Sequence, residues 1–431
     1  MWALSWPVIL ANLTIPLVGV ADVFVMGRMP DPAYIAAVAM GSAMFSAVYW
    51  LFGFLRMGTT GLAAQAYGQA SPEQLARIFA RGLLVAAVLG LALVLLQTVL
   101  ETLLFSLFDA SAGVAALAAA YYEIRIFGAP GLLLYLVTLG MLFGLQRMRD
   151  TLWLSIGLNA TNLFLDVLFV LGFGWGVEGV ALGTIVSEWG AAALGVVLVL
   201  RAMRSVGWDG ARPTDVFERA GLTRLLHVSS NLVLRTFFVQ LPFFVGTLLA
   251  TGLGDVTLAA HGVLMQLFFL MTYSLDGFAH TAETLAGYSY GARNAAELRR
   301  ASAYCAFWAA VLALATALLF LVAGQPFINL LTVAPEVREV AAVYLPWVAL
   351  APIFCIWAFL FDGIFIGTTH IAEMRNAMIA SAVVWAVVLG VTYENFAYHA
   401  VWAAMNVFML SRGVLLALLY PRIERGAAAA A

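Results

Sequence analysis

The chain has 431 residues, 64% of them hydrophobic and 10% charged, with a mean hydropathy of +0.98. Soluble domains carry about 25% charged residues, so this composition excludes a soluble globular class and requires a polytopic membrane protein. The net charge of −2 gives no basic surface for nucleic acid, and all 21 basic residues are arginine.

A stretch of about 20 apolar residues crosses a ~30 Å hydrocarbon core. Twelve such stretches are read, near 4–26, 34–57, 77–104, 112–144, 151–173, 178–203, 222–249, 257–287, 297–323, 338–367, 373–392 and 398–420. No basic n-region precedes the first, so no signal peptide is expected. With the N-terminus inside, fifteen arginines fall in or beside cytoplasmic segments and only Arg28 and Arg338 fall outside. That positive-inside bias places both termini in the cytoplasm.

The longest charged connection holds Asp209-Gly210-Ala211-Arg212-Pro213 and reads as a linker. It divides the chain into a six-helix lobe (1–205), a cytoplasmic linker (206–221), a second six-helix lobe (222–420) and a cytoplasmic tail (421–431). The halves repeat. Leu62-Ala63-Ala64-Gln65-Ala66-Tyr67-Gly68 returns as Leu285-Ala286-Gly287-Tyr288-Ser289-Tyr290-Gly291, a shift of 223 that also takes Arg77 to Arg300 and Gly144 to Gly367. A constant offset is the trace of a duplication. Six spans per half give both halves the same orientation. The expected fold is therefore all-α: twelve transmembrane helices in two parallel six-helix repeats around a central cavity.

Acids inside the membrane mark function, because an ionised carboxylate in hydrocarbon costs several kcal/mol. Asp22 lies in the first span, Asn159, Asn162 and Asp166 share one face of the fifth, and Thr184 enters the sixth at a similar depth. Two carboxylates in one such pocket cannot both ionise cheaply, which suits a proton carrier. The Asn and Thr oxygens suit Na⁺ equally, and a hydrogen-bonded polar knot that fixes packing is the bland alternative. In the second half, Asp276, His280 and Glu283 share a face of the eighth span and Asp362 lies in the tenth, with Arg235 or Arg56 as partners or a cationic substrate as ligand. Glu123 and Arg125 read as a local ion-pair set, and Glu188 has no evident role. An adaptable apolar cavity wall is expected from residues such as Met40, Tyr49, Met265 and Phe268.

Asn162-Leu163-Phe164-Leu165-Asp166, Gly176-Val177-Glu178-Gly179-Val180-Ala181 and Thr184 resemble the span 5–6 signature of the MATE (multidrug and toxic compound extrusion) family, in its DinF branch. Arg56-Met57-Gly58-Thr59-Thr60-Gly61, Asp276-Gly277-Phe278-Ala279-His280 and Phe361-Asp362-Gly363-Ile364-Phe365-Ile366-Gly367 agree in order, and the resemblance covers essentially the whole chain. It implies export of amphipathic, often cationic compounds in exchange for H⁺ or Na⁺, with Asp22, Asn162, Asp166 and Thr184 as the cation site. It also implies a hinge role for Pro7 and Pro16, since proline removes a helix hydrogen bond. The acidic pair that other branches carry in spans 7 and 10 is incomplete: the seventh span has Asn231, Arg235 and Gln240 but no acid.

No Walker sequence and no lysine are present, so ATP-driven transport by this chain is not expected. Neither is an enzyme, a cofactor, or a metal other than a coupling Na⁺. Cys305 and Cys355 are expected as unpaired apolar packers. The expected partners are small amphipathic substrates and membrane lipids, the expected form is a monomer, and the expected place is a bacterial inner membrane. A flippase for lipid-linked or amphipathic metabolites is the alternative function; it would call for a strongly basic cavity, and the membrane arginines are few.

Overall fold

The computed structural model describes residues 2–26, 28–29, 33–108, 110–211 and 215–429, leaving out the side chains of 13, 15–24, 222, 224, 225 and 429. Among these residues there are helices and turns but no strand. The order is α1 (Trp2–Met26), α2 (Ala33–Leu51), α3 (Phe54–Gly68), α4 (Pro72–Leu95), α5 (Gln97–Phe105), α6 (Ala112–Arg125), α7 (Ala129–Gly144), α8 (Met148–Asp166), α9 (Val177–Ser205), α10 (Arg219–Gly252), α11 (Asp255–Gly291), α12 (Ala295–Leu331), α13 (Pro335–Gly367), α14 (Ile371–Phe396) and α15 (Tyr398–Ala429). Eleven stretches among the described residues are long and apolar enough to cross a membrane, with α2–α3 and α6–α7 each counting once. A bilayer offers the backbone no water, so these segments satisfy their own peptide groups as helices.

Hydropathy locates the helices and underestimates their length. The second stretch, read as 34–57, continues to Gly68, and α15 runs on to Ala429. At 37 residues each, α11 and α12 are about 55 Å long, well beyond the hydrocarbon core. Their polar ends are set by ordinary helix signals. Asn294 caps α12 by accepting from the Glu297 N–H at 2.9 Å, and prolines open α4 and α13.

The chain forms two compact units: Leu10–Leu225, and Leu226–Ala431 together with Met1–Ile9. The boundary falls inside α1. Its first residues belong to the C-terminal unit, where Ser5 Oγ shares a hydrogen bond with Thr281 Oγ1 at 2.8 Å and Trp2 meets the rings of Phe278 and Trp308 edge-on.

Each unit contains a close helix seam. In the N-terminal unit, α7 lies on α3 with no room for side chains at Gly140 and Gly144. A methyl group at Gly144 would sit 2.5 Å from Ala63 Cβ and 3.0 Å from the Thr60 carbonyl oxygen. In the C-terminal unit, α13 lies on α11, and a methyl at Gly363 or Gly367 would overlap the carbonyl of Ala279 or Glu283. Gly140 and Gly144 lie 223 residues before Gly363 and Gly367, and Thr60 lies 223 before Glu283. The repeat read in the sequence is thus also a repeat of contacts. Small residues at such seams let helices approach where lipid supplies no hydrophobic drive.

Candidate functional site

The N-terminal unit gathers most of the polar residues singled out above. On α8 the spacing of three and four between Asn159, Asn162 and Asp166 turns them to one side, and the structure buries that side: Asn162 and Asp166 are buried and Asn159 half-buried. Asn159 Nδ2 donates to Thr14 Oγ1 at 2.7 Å, tying α8 to α1. Asn162 Nδ2 donates to Thr184 Oγ1 at 3.2 Å, and that hydroxyl donates in turn to the Val180 carbonyl at 2.9 Å. Asp166 ends α8 and is 0% exposed. Beyond it the chain widens into a π-helical turn over Val167–Gly172, a form common at functional positions. α9 returns against the carboxylate at Gly183, where any side chain would overlap Asp166 Oδ1. Asn162, Asp166 and Thr184 are therefore brought together. Asp22 and Pro16 lie outside the described side chains.

A cavity of ≈ 230 Å³ opens beside this group. From α8 and α9 it receives Leu158, Asn159, Asn162, Thr184, Ser187 and Glu188; from α2 and α6 it receives Ser42, Phe45, Ser46, Tyr49, Tyr121 and Arg125. Tyr49 thus lines it, whereas Met40 is buried.

The same wall holds a pair the sequence reading missed. Arg125 Nη1 and Nη2 donate to Glu188 Oε2 and Oε1 at 2.9 and 2.5 Å, a fork-to-fork pair with both side chains under 10% exposed. The guanidinium also lies over the rings of Phe45 and Tyr49, at 5.2 and 5.3 Å from their centroids. Glu123, the partner expected from proximity in sequence, is exposed. Residues two apart on a helix do not face each other, which was the available sign. Glu188 follows Thr184 by one turn of α9 and so faces the same cavity.

The acids of the C-terminal unit are arranged differently. Asp362 Oδ2 accepts from both Arg235 and Arg412, the latter at 2.6 Å, and Arg412 is only 1% exposed. His280 Nδ1 shares a hydrogen bond with Glu283 Oε2 at 3.1 Å, Glu283 is buried and Asp276 half-buried. Arg56, the other partner considered, lies in the other unit over the Phe143 ring. Phe268 is 1% exposed within the apolar core, packed edge-on to Phe243 at 5.5 Å, and Met265 lies against that core half-buried. Pro7 is buried within α1. His261, not singled out by sequence, is buried between the Tyr398 hydroxyl at 2.7 Å and Thr247. Among the described residues no three His, Cys, Asp or Glu side chains are grouped as metal ligands, and both cysteines are free and buried.

Comparison with known proteins gives one consistent result. The MatE family model matches residues 7–168 and 232–392, once in each half. DNA damage-inducible protein F of Escherichia coli (strain K12) is 36% identical over 98% of this chain and 92% of its own length. The probable multidrug resistance protein NorM of Acinetobacter baylyi is 25% identical over 81% of this chain and 78% of its own. The crystal structure of MATE in the bent conformation superposes with a TM-score of 0.86 over 98% of this chain and 95% of that one, at 19% identity. The chain belongs to the MatE family: it is a multi-pass membrane transporter of the multidrug and toxic compound extrusion type, in the branch of DNA damage-inducible protein F.

Proposed function

We propose that the chain is a cation-coupled antiporter that exports amphipathic compounds from the cytoplasm, with H⁺ as the preferred coupling ion and Na⁺ as the alternative. The observation that carries this reading is Asp166: a wholly buried acid one helical turn from the Asn162–Thr184 pair, which itself opens onto a cavity. A buried carboxylate is stable only when hydrogen-bonded, paired or protonated. Changing among those states is what a coupling site must do.

In this reading Asp166 and Asp22 take the ion from outside, and Asn162 and Thr184 supply neutral oxygens beside it. Loading favours the state that releases substrate; emptying inward restores the state that takes it up. The ion drives the cycle only as far as it binds the two states differently. Both termini then lie in the cytoplasm and the protein resides in a bacterial inner membrane.

The test is efflux from proteoliposomes under separately imposed pH and Na⁺ gradients, comparing wild type with Asp166→Asn and Asp22→Asn. Efflux driven by the pH gradient and lost in both variants is the expected result. Efflux driven by Na⁺ alone keeps the site and changes the ion. Efflux at the wild-type rate in both variants overturns the reading.

A further inference from the structure

We infer that the Arg125–Glu188 pair determines the charge of the cargo: it neutralises Glu188, the carboxylate that the described residues place on the cavity wall, and so favours neutral and zwitterionic amphiphiles over organic cations. This rests on the exporter reading above and narrows its substrate class.

Three observations carry it. Arg125 and Glu188 both line the cavity and are the charged residues among the described ones that do, so while they are paired the described part of the wall is neutral. Both oxygens of Glu188 are taken by one guanidinium, which also lies over the neighbouring rings of Phe45 and Tyr49. A cationic cargo reaching Glu188 must displace a bidentate, stacked, tethered competitor, which a monodentate ammonium does poorly. Finally, the chain makes room for the pair at Gly128, where a methyl group would lie 2.5 Å from both Arg125 Nη1 and Glu188 Oε2. What remains for the cargo is a wall of aromatic faces, hydroxyls and amides, led by Tyr49, Tyr121, Asn162 and Ser42. Such a wall grips an amphipathic ring system without requiring a positive charge.

The experiment uses the purified full-length protein and two matched dyes: a methyl-ester rhodamine, which is a cation, and its free acid, which is a zwitterion. Binding of each is measured by fluorescence polarisation for wild type, R125Q, E188Q and R125Q/E188Q. Wild type is expected to bind the zwitterion at least as tightly as the cation. R125Q should move the affinity ratio toward the cation by at least about tenfold, because an uncompensated charge a few ångströms from the ligand is worth more than that factor. E188Q should move it the other way, and the double variant should return near the wild-type ratio. A merely structural pair would weaken both dyes alike, so an unchanged ratio in both single variants overturns the inference. So does failure of wild type to bind either dye. If the single variants do not fold, R125E/E188Q and R125Q/E188K put one net negative and one net positive charge on the same wall and should move the ratio toward the cation and toward the zwitterion respectively; an unchanged ratio in both overturns the inference. Binding does not depend on coupling: a wild type that binds but shows no gradient-driven efflux refutes the exporter reading and leaves the ratio to judge the pair.

Discussion

The two units both bury arginine against a carboxylate, but in different proportions. In the N-terminal unit one guanidinium holds both oxygens of Glu188 at the edge of a cavity. In the C-terminal unit two guanidiniums, from Arg235 and Arg412, converge on one oxygen of Asp362. The first arrangement is neutral and open to what enters the cavity. The second gathers two guanidiniums on one carboxylate in the interior of its unit. A repeat that preserves its helix seams has thus diverged in its buried charge pairs, a difference that supports the proposal of Asp166 rather than Asp362 as the coupling acid.

The largest test of this contrast is Asp362→Asn. It leaves two buried arginines facing each other without an anion, and breaking a buried pair typically costs about 3–5 kcal/mol. Thermal unfolding in detergent should show a large loss, or no folded protein. Glu188→Gln should cost distinctly less, because the arginine it abandons borders a cavity. Equal losses would mean that the two clusters are equivalent.

Next come the seams. Gly367→Ala pushes a methyl group into the Glu283 carbonyl, and overpacking of this kind costs about 1–3 kcal/mol. Gly144→Ala should do the same in the other unit. Both losses are read from melting in detergent, and tolerance of either alanine would show that its seam can relax.

A double-mutant cycle sharpens the comparison further. Arg125→Gln and Glu188→Gln should couple by roughly 0.5–3 kcal/mol, the range for residues in direct contact. The combined variant should be more stable than the sum of the single losses implies; strict additivity would deny the pair any energetic role. The smallest effect is expected of Asn159→Ala, which removes one hydrogen bond to Thr14 worth about 1 kcal/mol. It should lower the melting temperature slightly and leave the ratio of cationic to zwitterionic binding unchanged.

What could be read from the chain follows the range of the forces involved. The helices follow from local hydropathy, and each appears where an apolar stretch does. Their ends do not, because hydropathy marks only the hydrocarbon, and helices such as α11 and α15 continue past it. The α8 face was legible because Asn159, Asn162 and Asp166 are spaced by the helix period. The Asn162–Thr184 bond was within reach because α8 and α9 are neighbours joined by a short turn. The charge pairs were legible only in part: Arg235 was one of the two arginines expected opposite Asp362, whereas Arg125 was set with Glu123 and Glu188 was left without a role. Arg125 and Glu188 lie 63 residues apart, and Arg235 and Asp362 lie 127 apart. Sequence offers many acids for each arginine, and only packing selects one. Glu123 was the nearest acid to Arg125 and points away to the surface.

The most direct test of the central claim is Asp166→Asn in proteoliposomes, read twice in one preparation: substrate exchange at equal concentrations without a gradient, and uphill efflux under a pH or Na⁺ gradient. If Asp166 couples the ion, exchange persists and gradient-driven efflux is lost. If gradient-driven efflux continues at the wild-type rate, Asp166 is a packing residue and the coupling site lies elsewhere.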